Sequence, residues 1–252
     1  NTNVLIAALD KLAKEMPLRS SFPAAWFAPF VPGEPIDTKN TAMFLRDKII
    51  EILFSKPTIS NNKFPHVYIA FVRYSSAFHL DSNYCKNGNA FRCSGTFLKT
   101  IAMLPYTKHL GCDTLYLLPI TAIGKYGNKG NMGSPYAIRN HYALDENLSE
   151  PLLGISPEQQ FKALVELAHL LGIKVVCEFV FRTASISSEA ALAHPDWFYW
   201  ILESAAKDFA PPVFDEDVLE VIKEKVEAGD FAELPAPPEE YIAQFTDVRS
   251  EE

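Results

Sequence analysis

Lys174-Val175-Val176-Cys177-Glu178-Phe179-Val180-Phe181-Arg182-Thr183 is the stretch whose reading decides the fold. It is a nearly continuous apolar run whose charged residues are Lys174, Glu178 and Arg182. Its β-branched content predicts a strand buried on both faces, the kind found in parallel sheets. A helical segment ending in Leu171-Gly172 feeds it, so the local unit is helix, glycine stop, buried strand. In parallel α/β arrangements chemistry gathers at the carboxyl ends of the strands. Glu178, Arg182 and Thr183 lie towards that end. Two readings of the charges stand side by side: they belong to a site, or Glu178 and Arg182 form an internal ion pair, because buried charges are usually paired.

Upstream, Ser156-Pro157-Glu158-Gln159 gives a helix start with a capping serine, proline at the first helical position and glutamine to complete a capping box. Phe161, Leu164, Val165, Ala168 and Leu171 follow at helical spacing. Before them Thr121 to Ile155 reads as a loop of about 35 residues carrying Gly124, Gly127, Gly130, Gly133 and Pro135, and a loop that long inside a domain is usually functional. Thr114 to Ile120 is a second buried strand. Gly95 to His109 is a helix with Phe97, Ile101 and Leu104 on one face, which Pro105 is expected to bend or interrupt. His66 to Val72 is the first buried strand, and Ser75 to Ser94 a polar loop. The order β-α-β-α-β with apolar strands predicts a parallel sheet built by right-handed crossovers. Residues 4–16 and 38–54 are amphipathic helices, the second capped by Thr38 or Asn40. They read as an extension over 1–64 packed onto a main domain. Downstream, His194-Pro195-Asp196-Trp197-Phe198-Tyr199-Trp200-Ile201 is an aromatic block that either lines a binding surface or forms core under a long loop. Residues 215–228 are an amphipathic helix, and 230–252 are acidic and proline-rich. No fourth buried strand is visible.

The 252 residues are 48% hydrophobic and 21% charged, with a net charge of −8 and an isoelectric point near 5.3. That balance argues against nucleic acid or an anionic membrane as partner. No apolar run approaches the ~20 residues of a membrane span. Asn1-Thr2-Asn3-Val4 is not the start of a signal peptide and reads as the start of a trimmed chain. Cys85, Cys93, Cys112 and Cys177 form no Cys-x-x-Cys pair. Free thiols in a cytoplasmic protein are expected, with a Cys85–Cys93 bridge across the loop as the alternative. The histidines show no metal-ligand spacing, so neither a metal nor another cofactor is expected.

Gly95 to Ile201 resembles the front half of the barrel of the α-amylase superfamily, glycoside hydrolase family 13. Leu110-Gly111-Cys112-Asp113-Thr114-Leu115-Tyr116-Leu117-Leu118-Pro119-Ile120 resembles that family's first helix end and second strand. Gly133-Ser134-Pro135-Tyr136-Ala137-Ile138-Arg139-Asn140-His141-Tyr142-Ala143-Leu144 resembles its Ser-Pro-Tyr…Asp-Tyr loop. Phe161 to Gly172 resembles its second helix, and Lys174 to Thr183 occupies the place of its Asp-x-Val-x-Asn-His strand. Within the family the pattern is most like the bacterial maltosyltransferases, 4-α-glucanotransferases with a degenerate third strand and a His-Pro-Asp-Trp-Phe-Tyr-Trp-Ile block. The resemblance covers roughly 65–201.

It implies an α/β fold: the N-terminal portion of a TIM (β/α)8 barrel, about three βα units over 65–201, with the helical extension 1–64 and a long helical, proline-rich insertion over 202–252 after strand three. It implies an α-glucan or maltooligosaccharide substrate. Tyr136 would stack on the sugar beside the cleaved bond, with a loop tyrosine packed under the Pro/Gly turn as the alternative. Asn140 stands for the family's Asp, Glu178 for its signature Asp, and Arg182 and Thr183 for its Asn and His. Arg182 cannot ligate the family's calcium; a guanidinium suits a sugar hydroxyl, a carboxylate or a phosphate. Family catalysis is retaining, with two carboxyls about 5 Å apart. The nucleophile's Gly-x-Arg-x-Asp strand has no counterpart here, and Asp247, in Phe245-Thr246-Asp247-Val248-Arg249, lacks the right order. The expectation is therefore a substrate-side wall without catalytic residues, inactive alone. A degenerate sugar-binding chain, or a partial barrel that self-associates through its open strand edges, is the alternative. An unrelated aldolase-like or phosphate-binding barrel is disfavoured, since Lys125 and Lys129 lie in the long loop and no strand end carries a lysine.

Overall fold

A computed structural model describes residues 1–27, 33–56, 63–79, 93–128, 130 and 132–246. Contacts divide the chain into two units, Asn1–Ser188 and Glu189–Glu252. Unit one starts with α1 (Thr2–Glu15), whose buried Leu5, Leu9 and Leu12 form one stripe. β1 (Ser20–Phe22) and β2 (Ile36–Thr38) pair antiparallel and lead into α2 (Thr41–Phe54). The Asn40 side chain caps α2 by accepting from Met43 N, while the Thr38 hydroxyl is occupied by the Ser20 carbonyl. β3 (Val67–Ala70) runs into a helical turn, α3 (Val72–Ser75).

α4 (Phe97–His109) is capped by Thr96. It continues through Pro105 instead of breaking there. Phe97, Leu98, Ile101, Ala102 and Leu104 are all buried, and that apolar burial offsets the hydrogen bond the proline removes. Then come β4 (Thr114–Leu117), β5 (Thr121–Ile123), β6 (Ile138–Leu144), α5 (Pro157–Leu170) and β7 (Lys174–Cys177). α5 carries the complete Ser156/Gln159 capping box. The stretch expected as one long loop is largely ordered: β5 and β6 form an antiparallel hairpin with register shifts, followed by two single 3-10 turns, Glu146–Leu148 and Pro151–Leu153.

β3, β4 and β7 make a three-stranded parallel sheet with β4 in the middle. This is the expected α/β arrangement, with one correction. The outer strands were read as buried on both faces, and they are not. In register, Tyr68, Leu115 and Val175 share one row, and Ala70, Leu117 and Cys177 another. Both rows join the core with Leu5, Leu9, Leu45, Ile49, Ile101 and Leu164 from the four long helices. Side chains alternate across a strand, so Ile69, Tyr116 and Val176 line the opposite face. There Ile69 is 62% and Val176 41% exposed. The apolar run is long enough to cover two faces, but helices cover only one.

Unit two comprises α6 (Glu189–Ala193), β8 (Trp200–Ile201), α7 (Glu216–Glu227), α8 (Glu239–Ile242) and β9 (Phe245–Thr246), with β8 and β9 paired antiparallel. None of its described residues is buried. The aromatic block is accordingly not core: Trp197 is 67% and Tyr199 94% exposed, although Tyr199, Phe209 and Tyr241 all pack on the Phe245 ring. Cys112 and Cys177 are free thiols, whereas Cys93 is disulfide-bonded, against the expectation of free thiols throughout. Cys85, Lys129 and Asp247 lie outside the described residues. No helix among them is long and apolar enough to cross a membrane.

Candidate substrate-binding site

β7 ends at Cys177, and the Glu178 amide donates to the Leu117 carbonyl at 2.9 Å, extending the β4 pairing by one residue. The chain then leaves the sheet, so Phe179 and Phe181 are exposed rather than buried in a longer strand. Three bonds tie the departing segment to the β5–β6 hairpin. His141 Nε2 lies 3.1 Å from the Val180 carbonyl. The Thr183 hydroxyl donates to the Tyr136 carbonyl at 2.7 Å, and the Ser185 amide to the Ile138 carbonyl at 2.8 Å. Gly124 lets the two pack closely, since a Cβ there would lie 2.6 Å from Ser185 Cβ.

These ties bring Glu178 under two phenols. Tyr116, on β4, and Tyr136, at the hairpin's entry, both lie within reach of its carboxylate charge. Desolvation, followed by the nearby Glu178 charge, raises both phenols above the usual tyrosine value. Tyr136 nevertheless keeps 41% of its surface exposed, so its ring is positioned but not covered. Its amide is anchored on Ser134 Oγ at 3.2 Å.

Of the residues singled out in the sequence, Tyr136, Thr183 and Glu178 are brought together. The Asn140 side chain turns to its own strand, where Oδ1 accepts from Tyr142 N at 2.8 Å. Arg182 is exposed. It forms no ion pair with Glu178, which corrects that reading: the Glu178 carboxylate lies near two phenols, and Arg182 lies past the point where the chain leaves the sheet. Tyr116 was missed. Its signal was the parallel register, which sets it beside Val176, two residues before Glu178, and two residues along a strand return to the same face. A carboxylate between two phenols beside an exposed ring can accept hydroxyl protons and present an apolar platform. Among the described residues no group of three or more His, Cys, Asp or Glu is placed to hold a metal ion.

No family model matches the chain. Over 139 residues, half of this chain, it is 36% identical to the alpha-1,4-glucan:maltose-1-phosphate maltosyltransferase of Cereibacter sphaeroides. Over 118 residues, 41% of this chain, it is 36% identical to that of Rhodospirillum rubrum. The chain spans 23% and 16% of the lengths of these relatives. Among solved structures, an alpha-amylase from Lactobacillus plantarum is 28% identical, with 73% of this chain and 36% of that one covered and a TM-score of 0.42. The maltogenic alpha-amylase AmyB of Thermotoga neapolitana is 28% identical, with 65% and 36% covered and a TM-score of 0.40.

Proposed function

From a chain that is similar to maltosyltransferases over half its length, we propose that it carries one wall of an α-1,4-glucan site in an enzyme of the maltosyl- or glucanotransferase type. The observation that carries this reading is the half-exposed Tyr136 ring, whose backbone is tied to Thr183 at the end of the β7 segment and whose phenol feels the Glu178 charge. A pyranose presents an apolar C–H face, for which an aromatic face is the physical match. Glu178 accepts from a sugar hydroxyl, and Thr183 holds the Tyr136 backbone. Arg182, exposed and without an ion pair or hydrogen bond among the described residues, is free to meet a sugar hydroxyl or a phosphate. Asn140 shapes its strand. β3, β4 and β7 are the first three strands of a (β/α)8 barrel in this reading, with 1–64 an extension, 65–201 the first βα units and 202–252 an insertion. Retaining transfer needs two carboxyls about 5 Å apart, and strands beyond these three supply them.

The test is transfer by the intact gene product, read as orthophosphate released from maltose 1-phosphate with a maltooligosaccharide acceptor. Tyr136→Ala should lower kcat/KM by about tenfold or more, the loss of roughly 1.4 kcal/mol of sugar contact. An unchanged value refutes the assignment.

A second reading is a non-catalytic sugar-binding or partner-dependent partial barrel. The uncovered sheet face with Ile69 and Val176 favours it, since exposed apolar patches mark interaction surfaces. Concentration-dependent sedimentation of the 252-residue chain distinguishes the two: a monomer at all concentrations removes the support for self-association.

A further inference from the structure

Arg73 stands just past β3, in the turn α3, and is buried. Its charge is cut off from water there, so the guanidinium needs partners inside the protein. Two of them flank β6. Nη1 donates to the carbonyl of Met132, which precedes that strand, at 2.5 Å. Nη2 donates to Asp145, the residue that follows its last, Leu144. Asp145 is itself fixed: its amide donates to the Ile120 carbonyl at 2.9 Å, and its other carboxylate oxygen accepts from Asn147 N and Nδ2 at 3.1 and 2.9 Å. One planar fork thus ties the end of β3 to both ends of the β6 arm, a geometry that suits a guanidinium and not a single ammonium.

Between Met132 and β6 the chain runs Gly133-Ser134-Pro135-Tyr136-Ala137. Gly133 turns it at φ +67°, a conformation open to glycine. Ser134 then holds its successors, with Oγ accepting from Tyr136 N and the carbonyl from Ala137 N, both at 3.2 Å. On the far side the Thr183 hydroxyl takes the Tyr136 carbonyl. The segment is strung between two anchors, Arg73 after β3 and Thr183 beyond β7, the two outer strands of the sheet. The Tyr136 ring is half-exposed, so packing fixes its direction less than the backbone beneath it does.

A buried ion pair is a poor source of net stability, because desolvation offsets its attraction and apolar residues of the same volume often serve as well. An apolar side chain in the place of Arg73 would fill the space but leave the Met132 carbonyl unheld. We propose that Arg73 is a positioning residue for the Tyr136 site: it sets the segment on which the sugar-stacking ring stands, without touching the sugar. The proposal rests on the reading of Tyr136 as that ring.

The test uses the 252-residue chain as wild type, Arg73→Lys, Tyr136→Ala and the double variant, followed by hydrogen exchange and by calorimetric titration with maltotetraose. Lysine keeps a cation for Asp145 but cannot span both partners. In Arg73→Lys the amides of Tyr136 and Ala137 should exchange about tenfold faster or more, with those of α5 unchanged. Maltotetraose should bind about fivefold more weakly. The double variant should bind no more weakly than Tyr136→Ala, because Arg73 acts only through that ring. Unchanged exchange at Tyr136 and Ala137, unchanged affinity in Arg73→Lys, or additive losses in the double variant would each overturn the proposal. Faster exchange in α5 as well would mean that lysine unsettles the whole fold, and Asp145→Asn, which weakens the same clamp with its shape kept, then takes its place with the same expectations. A wild type that does not bind maltotetraose sinks the Tyr136 reading and the proposal with it, whereas binding that Tyr136→Ala weakens and Arg73→Lys does not sinks the proposal alone.

Discussion

Lys99 should make the protein more stable as the solution turns alkaline. The side chain is fully buried on α4. Its Nζ donates to the Ser94 carbonyl at 2.6 Å and lies 5.4 Å from the centre of the Phe78 ring. Desolvation pulls the ammonium down to about 8 from 10.5, against a partly restoring Glu150 charge. Because the folded value is depressed, the unfolded chain binds more protons between about 8 and 10.5, and stability rises with pH through that window. Below pH 8 the full cost of burying the charge is present; above 10.5 it is gone. At about 1.4 kcal/mol per unit the span amounts to roughly 3 kcal/mol. Other groups titrate in the same range. The phenols of Tyr68, Tyr116 and Tyr136 and the thiols of Cys112 and Cys177 are raised, and they lower stability in alkali. The comparison with Lys99→Met removes them. Urea unfolding of both proteins at several values between pH 7.5 and 10 should show the wild type gaining on the variant by about 1 kcal/mol per unit or more above pH 8. Parallel profiles would refute the reasoning.

Arg73→Met strands the Asp145 carboxylate, which is 4% exposed, and should cost about 3–5 kcal/mol in urea unfolding, whereas a loss near zero would mean that the pair is dispensable. Gly95→Ala drives a Cβ into the Val72 carbonyl oxygen and should destabilise by about 3 kcal/mol or more; a wild-type melting temperature would contradict that packing. Phenolate absorbance should show Tyr136, identified by its loss in Tyr136→Phe, ionising above the usual tyrosine value. Glu178→Gln should bring it down, because the charge that adds to desolvation in raising it is removed; an unmoved titration breaks the link between the two residues.

The helices and their order were legible in the sequence because their signals are local. The Ser156/Gln159 box and the spacing of Leu164 and Ala168 define α5 without help from the rest of the chain. The sheet was legible as a set of strands but not as a surface. An apolar run such as Lys174–Thr183 states that burial is available, not whether a second layer arrives to use it, and here Ile69 and Val176 meet none. The hairpin was hidden because glycines and register shifts interrupt its alternation. The site was half legible. Tyr136 stood out through its Ser-Pro-Tyr setting, while the Glu178–Arg182 pairing was inferred from proximity in sequence, when the groups near Glu178, Tyr116 and Tyr136, come from distant segments.

The most direct measurement is calorimetric titration of the 252-residue chain with maltotetraose, for the wild type and for Tyr136→Ala and Glu178→Gln. The account predicts binding in the wild type that Tyr136→Ala weakens about tenfold or more, the worth of one stacked ring, with a smaller loss in Glu178→Gln. Maltotetraose that fails to bind, or that binds all three proteins equally, would contradict the claim that this strand end and hairpin form the wall of an α-glucan site.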